Sequence, residues 1–422
     1  MESNQTVALI GFGKSNQAVY AYLKSKGIDP VIRVPRDTNL PSDSKAIIGK
    51  DYLHTSEDII FRSPVVRPDK IKAKGKIYTE IGYLLEKAPA YKIGITGSDG
   101  KTTTSTIIYE ILKGETQVYL GGNIGTPLIN YLDKMQKDHL CVCELSSFQL
   151  FDTRPPLDTA IITGITQNHL DWHKDMREYV SAKENILVNS KRLVLSLDMY
   201  ENRRFTNKEI IYFSSHKPSR FKPNSSYIYV ENGKIVFNGN PLLEASEIKL
   251  RGKFNLLNYL CAIATTYPLV PLDKIREVAR TFSGVAHRME VVDKIKDVTF
   301  IDSSIDSTPS RTNATLSALD LESTVVILGG YDKNLDYTIL EKTLSQAKGI
   351  VLCGENSEKI YNSINCKRSI FTTTLEEATN VAHSLAKPRG TVILSPASAS
   401  FDMFENYYEK SKAYRKAINS LK

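Results

Sequence analysis

The chain has 422 residues, 41% hydrophobic and 24% charged, with 23 Gly and 17 Pro. That composition predicts a globular protein of two to four domains and excludes disordered and collagenous chains. Lys plus Arg number 55 against 47 Asp plus Glu, a net charge of +8, which suits an enzyme of anionic substrates at least as well as a nucleic-acid binder.

The elements alternate strand and helix from the start. Val7–Ile10 reads as a strand, Gly11-Phe-Gly-Lys14-Ser15-Asn16 as a turn, and 17–26 as a helix ending at Gly27, followed by strands at 29–33 and 59–61. The Lys/Gly stretch 69–76 reads as loop and 79–87 as a helix. A second domain opens at Tyr91-Lys-Ile-Gly-Ile-Thr96, a strand feeding a glycine-rich turn and a helix from Thr102. Apolar runs at 141–143, 159–163, 193–195 and 210–212 continue a mostly parallel sheet with helices on both faces. Period-2 alternation over 225–250 around Asn232-Gly233 predicts a hairpin, and 256–266 an apolar helix. A third domain starts near Gly284, with strands at 299–301, 324–328, 349–352 and 391–394.

No signal peptide is read at Met1-Glu-Ser-Asn-Gln5, and no apolar run approaches the ~20 residues of a membrane span. The five cysteines (Cys141, Cys143, Cys261, Cys353, Cys366) are odd in number. Cys141 and Cys143 alternate along an apolar strand, as buried thiols would. A soluble, reduced, cytoplasmic protein is expected.

Several strand ends carry chemistry. Gly11-x-Gly13-x-x-Asn16 occupies the place of a dinucleotide fingerprint. Its third position is Asn, however, and Arg33 stands where an acidic ribose partner would end the second strand. Bare turn chemistry and a phosphate site involving Lys14 and Ser15 both remain open ahead of NAD. Thr96-Gly97-Ser98-Asp99-Gly100-Lys101-Thr102-Thr103-Thr104 is sharper. It joins a strand to a helix, so its backbone N–H groups can cradle phosphates, Lys101 can reach terminal phosphates and Thr102 can ligate Mg²⁺. Its glycine spacing departs from the usual P-loop, because Ile95 stands where the first Gly belongs. Glu144 ends the strand 141–143, where a metal-holding carboxylate sits beside a phosphate loop. His169 and His173 stand four apart, but the glutamate of a zinc-hydrolase helix is absent, which favours a single His on Mg²⁺ or substrate. Lys183 follows in a helical Ser-Ala-Lys-Glu. In the last third, Asp302-Ser-Ser-Ile-Asp-Ser-Thr-Pro309-Ser-Arg311, Gly329-Gly-Tyr-Asp-Lys333 and Ser395-Pro-Ala-Ser-Ala-Ser400-Phe401-Asp402 each follow a strand and converge above one sheet. Asp306, Ser307 or Thr308 can cap the helix that Pro309 starts.

Together with Gly122-Asn-Ile-Gly125, Glu144-Leu-Ser-Ser-Phe-Gln-Leu150 and Asn168-His-Leu-Asp171, these motifs resemble the Mur ligase family over nearly the whole chain and in the family's order. The resemblance implies an α/β fold of three domains. Residues 1–88 would form a Rossmann-like UDP-sugar domain, 89–283 a central P-loop ATPase-like parallel sheet, and 284–422 a Rossmann-like α/β domain closing over ATP and the amino acid. It implies ATP-dependent addition of D-glutamate to UDP-N-acetylmuramoyl-L-alanine through an acyl phosphate, in peptidoglycan precursor synthesis. Two Mg²⁺ sites and a carbamylated Lys183 belong to that picture, as does a monomer without nucleic acid or membrane. Carried over residue by residue, Gly97–Thr103 would hold the ATP phosphates, Thr102 and Glu144 one Mg²⁺, and His169 with Lys183 a second. Asn123 would face the UDP-sugar end and Asn258 the adenine. Arg288 and Asp302 would grip ATP, while Lys333, Ser400, Phe401 and Tyr407 would hold D-glutamate.

This chain departs from the family at Ser304, where a lysine is usual. Arg311 is the expected source of the missing charge. Ser63-Pro-Val-Val66 replaces a Ser-Pro-Gly turn, and Arg33 and Arg36 replace acidic character after the second strand. Competing readings are another amide ligase, such as a folylpolyglutamate synthase-like one, a catalytically inactive nucleotide-binding regulator, and a nucleic-acid-dependent ATPase. The last lacks a basic stripe interleaved with aromatics.

Overall fold

The computed structural model describes residues 5–36, 40–170, 172–250, 252–365 and 368–422. Residues 1–4, Asp171 and Cys366, which entered the sequence reading, lie outside them. The chain divides into two compact units, Met1–Phe282 and Ser283–Lys422. Among the described residues no helix is long and apolar enough to cross a membrane.

The first unit holds two large sheets. One has five strands in the order Lys45–Ile48, Val31–Val34, Val7–Ile10, Ile59–Arg62, Lys76–Tyr78, all parallel. The order reverses beside Val7–Ile10, which opens a crevice at its carboxyl end. There Gly11 takes φ +77°, and a Cβ on it would lie 2.9 Å from the Cβ of Ser63. Only glycine allows that approach. The helix that follows spans Lys14–Ser25, three residues ahead of the expected start, so Lys14 and Ser15 lie in its first turn. Asn16 explains the missing third glycine. It is buried, and its amide nitrogen reaches the carbonyls of Ile10, Gly11 and Phe61 at 3.1, 2.7 and 3.1 Å, so it ties two strands together. Arg33 also points inward. It is 7% exposed and pairs through one nitrogen with both carboxylate oxygens of Glu57 at 2.9 and 3.1 Å.

The second sheet has nine strands. Tyr91–Thr96 lies near one end, flanked by Leu140–Glu144 and Thr159–Ile162. Val118–Gly122 forms the edge, and Arg192–Ser196, Glu209–Ser214 and Ser225–Glu231 extend the other side in parallel. The expected hairpin is present. Asn232 and Gly233 both take positive φ (51° and 77°), as a tight primed turn requires, and a third strand, Asn240–Glu244, follows Lys234–Phe237. Cys141 and Cys143 are buried thiols with their sulfurs 3.4 Å apart.

One apolar cluster runs from Leu9, Ile32 and Phe61 through Leu84 and Ile129 to Cys143, Leu193 and Tyr227. It therefore joins both sheets across residue 88. A second cluster lies on the opposite face of the nine-stranded sheet, built from Ile93, Ile95, Ile107, Leu260 and Ile263. The stretch 69–76, expected as loop, instead carries the short strand Lys72–Ala73 and leads into Lys76–Tyr78.

The second unit is a six-stranded sheet in the order Glu290–Ile295, Val298–Asp302, Thr391–Leu394, Thr324–Leu328, Gly349–Cys353, Ser369–Thr372. All neighbours are parallel except the first pair. It has a core on each face.

Candidate functional site

The carboxyl ends of three adjacent parallel strands, Leu140–Glu144, Tyr91–Thr96 and Thr159–Ile162, meet beside the helix Lys101–Leu112. That helix starts from Gly100 in the left-handed region (φ 79°). It has no side-chain cap and no acidic residue in its first turn, so its positive end faces the loop. A Cβ on Gly97 would lie 2.0 Å from the Thr163 hydroxyl, and one on Gly100 2.3 Å from the Asn258 side-chain oxygen. Both positions demand glycine.

Ser98, expected among the phosphate contacts, turns inward. Its N–H donates to the Gly164 carbonyl, and its hydroxyl donates to the Thr166 carbonyl and sits 2.9 Å from the Tyr179 hydroxyl. Asp99 stays at the loop tip, where its carbonyl accepts from the Thr163 hydroxyl at 2.6 Å. Asn258 lies beneath the loop against Gly100 and Thr104, and Thr103 is buried.

Glu144 is 2% exposed. One of its oxygens accepts from the Thr102 hydroxyl at 2.7 Å and the other from the Asn123 amide at 2.9 Å. Asn123, expected toward the sugar, thus stands on the candidate metal carboxylate. Gly122 makes this possible, because a Cβ there would lie 2.3 Å from the Glu144 carbonyl. Lys14 reaches the same loop from the first sheet, donating to the Gly125 carbonyl at 2.7 Å.

Lys183 lies on the helix Met176–Glu184, 2% exposed. Its Nζ donates to the Gly97 carbonyl at 2.7 Å, and Lys101 donates to that same carbonyl at 2.9 Å. Burial and the neighbouring Lys101 charge push the Lys183 ammonium down to about 6, against the opposing pull of Glu144 and Asp99. At neutral pH Lys183 is therefore mostly a neutral amine.

His169 adopts φ 55°, and its ring meets Phe148 edge-on at 4.9 Å between centroids. His173 does not join it as a second ligand. It is buried, with Nε2 2.9 Å from the Ser147 hydroxyl and Nδ1 3.4 Å from Glu178.

In the second unit, Asp302 is fully buried at a strand end. It accepts from the Ser411 hydroxyl at 2.6 Å, the Ser304 N–H at 2.9 Å and Arg415 at 3.0 Å, with His287 3.1 Å away. Burial raises its pKa, but these hydrogen bonds outweigh burial and hold it below the usual carboxylate range. Sequence reasoning missed Ser411, Arg415 and His287. Ser411 and Arg415 share a face of the helix Tyr407–Asn419 at i, i+4, yet nothing local marks Asp302 as their partner.

Thr308 is the cap of the helix Pro309–Leu316 and accepts from the Arg311 N–H. The Tyr407 phenol is pushed up by burial and by the neighbouring Tyr408, against the opposing charge of Arg288 and Arg311, and the two tyrosine rings stack at 4.1 Å between centroids. Ser304 is buried, and Arg311 Nη1 donates to the carbonyl of the next residue, Ile305, at 3.4 Å. Lys333 is exposed on its turn. The neighbouring Tyr331 N–H donates to the Ala399 carbonyl at 2.9 Å, which brings this turn against the one bearing Ser400 and Phe401. Phe401 is 63% exposed and meets Tyr331 edge-on, while Ser400 is buried. A sequence-silent lysine, Lys410, is buried and donates to the Gly329 carbonyl at 2.7 Å.

Comparison with known proteins adds an independent line. Residues 95–266 match the Mur ligase middle domain, and 287–398 match the Mur ligase glutamate ligase domain. The UDP-N-acetylmuramoylalanine–D-glutamate ligase of Clostridium tetani is 36% identical, over 99% of this chain and 97% of the relative. That of Acetivibrio thermocellus is also 36% identical over the same shares. Among solved structures, UDP-N-acetylmuramate-alanine ligase MurC from Thermotoga maritima superposes with a TM-score of 0.61 at 19% identity, covering 99% of this chain and 100% of its own. MurF ligase from the same organism, in complex with ADP, gives 0.61 at 17%, covering 99% and 95%. At those identities the two structures speak for the fold.

Proposed function

The chain belongs to the Mur ligase family, and from that premise we propose that it joins D-glutamate to UDP-N-acetylmuramoyl-L-alanine at the expense of ATP. The observation that carries this is the cluster at the three strand ends, where Lys101 and Lys183 share the Gly97 carbonyl beside the Thr102–Glu144 pair. A carboxylate is a poor acyl donor at neutral pH. Transfer of the ATP γ-phosphoryl group to the substrate carboxylate gives an acyl phosphate and ADP. The D-glutamate amine then adds to the acyl carbon, and the tetrahedral intermediate expels phosphate, leaving the amide after loss of a proton. Two anions must approach in the first step, so cationic groups that screen them supply much of the acceleration.

Each side chain takes a part in that reading. Lys101, at the open helix end, steadies the β- and γ-phosphates. Glu144 and Thr102 supply hard oxygen donors, and His169 an imidazole, which fits Mg²⁺. Bound there, Mg²⁺ would neutralise the phosphate charge. Neutral Lys183 can add to carbon dioxide, losing a proton to become a carbamate, and so turn an amine into a further oxygen ligand. In the second unit, Arg288 and Asp302 serve ATP, and Lys333, Ser400, Phe401 and Tyr407 the glutamate. The expected domain bounds near residues 88 and 284, the first of them crossed by a continuous apolar cluster, a cytoplasmic location and a monomeric state complete the proposal.

Arg311 stands in for the charge missing at Ser304. Arg311→Ala should lower kcat/KM by about 10–100-fold, as loss of a charged hydrogen bond implies, with an unchanged melting curve; wild-type turnover would end the idea. The reading as a whole is tested by phosphate release with UDP-N-acetylmuramoyl-L-alanine, Mg²⁺-ATP and a panel of amino acids. Release confined to D-glutamate is expected. Comparable release with L-glutamate or glycine would overturn it.

A further inference from the structure

His169 is not a glycine, yet it sits in the left-handed region, a conformation uncommon outside glycine and one that surrounding contacts can fix. Those contacts converge on one side chain from the loop that follows the strand Ile59–Arg62. The His169 carbonyl accepts from the N–H groups of Trp172 (3.2 Å) and His173 (2.9 Å). Trp172 is held in turn by Arg67, whose Nη1 donates to the Trp172 carbonyl at 2.7 Å. His173 is held by Glu178, which lies 3.4 Å from its Nδ1.

Glu178 receives both terminal nitrogens of Arg67, each at 3.0 Å. The guanidinium lies over the rings of Phe151 (4.9 Å) and Trp172 (5.0 Å), and Asp69 takes Nε and Nη2. The Trp172 indole N–H closes the joint by donating to the Val65 carbonyl at 2.9 Å. Arg67 is thus a planar fork lying against two rings set edge-on to each other, a geometry a lysine cannot reproduce. Its hydrogen bond from Arg67 also holds Glu178 down to about 2, so this pairing persists across the working pH range.

We propose that Arg67 is a positioning residue that holds His169 in its metal-ligating geometry, tying the loop after the strand Ile59–Arg62 to the metal site of the nine-stranded sheet. The inference rests on the reading of His169 as a metal-holding residue. It predicts that Arg67, which touches no reacting atom, sets metal affinity.

The test is Mn²⁺ binding to the full chain with ADP, followed by electron paramagnetic resonance, for wild type, Arg67→Gln, Arg67→Lys, Glu178→Gln and His169→Ala. Arg67→Gln should weaken Mn²⁺ binding about 10–100-fold, as loss of an outer-shell support does. Arg67→Lys should fail to restore it, and the Mg²⁺ needed for half-maximal turnover should rise by a similar factor while KM for D-glutamate stays constant. A folded Arg67→Gln protein with wild-type Mn²⁺ affinity overturns the proposal. Should that variant not fold, Glu178→Gln carries the same criterion. If His169→Ala binds Mn²⁺ like wild type, the failure lies in the reading of His169 itself, and the proposal falls with it.

Discussion

Replacing Lys101 with methionine should lower kcat by about 10²–10³-fold, the loss seen when one preorganised electrostatic group is removed from a transition state. The fold should survive. Lys101 begins its helix, and its Nζ reaches the Gly97 and Ser98 carbonyls from a half-buried position. Gly97 keeps Lys183 as a donor. Steady-state kinetics with each substrate varied, beside a thermal melt, checks this. The expected pattern is a collapsed kcat at nearly constant KM for D-glutamate, because the proposal puts Lys101 at the phosphate end of the reaction. A variant that turns over within threefold of wild type would remove the phosphate loop from the mechanism.

Lys183→Met should do something less usual: inactivate the enzyme and stabilise the protein. Unmodified Lys183 is buried with its pKa near 6, whereas in the unfolded chain it titrates near 10.4. Between those values the unfolded state binds the extra proton, so stability rises with pH through this window. At and below pH 6 the ammonium's full burden is present, and near pH 10 it has vanished. Methionine fills similar volume without that burden, although one hydrogen bond to Gly97 is lost at about 1 kcal/mol. A gain of about 2–4 kcal/mol at pH 7 is expected, shrinking toward pH 10. Urea unfolding at pH 6, 7 and 9.5 in buffer purged of carbon dioxide measures it, with turnover down about 10²-fold or more alongside. A variant less stable than wild type at pH 6 would show that Lys183 is not held neutral by burial. That gain would mark the site as one that carries a cost in stability for the sake of its chemistry.

What could be read from sequence, and what could not, follows from the range of the interactions. The loop 96–104 was legible because its logic is local: a strand, two glycines forced by close approach, and a helix start follow one another within nine residues. Thr324–Leu328 and Thr391–Leu394 were legible as unbroken apolar runs, and both lie inside their sheet. The edge strands Lys45–Ile48, Glu290–Ile295 and Ser369–Thr372 escaped notice because edges carry charged and exposed residues that mask the pattern. Asn16 was read against a glycine fingerprint, but its carbonyl partners include Phe61, 45 residues away. Lys183 sits in a helical stretch with nothing local to mark it, since its meaning depends on a carbonyl 86 residues upstream. Arg67 gave no signal at all, because its partners come together only in the folded chain.

The buried cluster that runs through residue 88 also bears on how this chain can change over generations. Leu9, Phe61, Leu84, Ile129 and Cys143 belong to one packed interior, so a change of volume on either side is felt on the other. The first 282 residues are bound to drift as a block, each substitution constrained by neighbours from both sheets. Ser283–Lys422 has two interiors of its own and can accept new residues around Lys333 and Ser400 without renegotiating that packing. If Lys333 and Ser400 hold the amino acid as proposed, a lineage that needed a different one would find its freedom there.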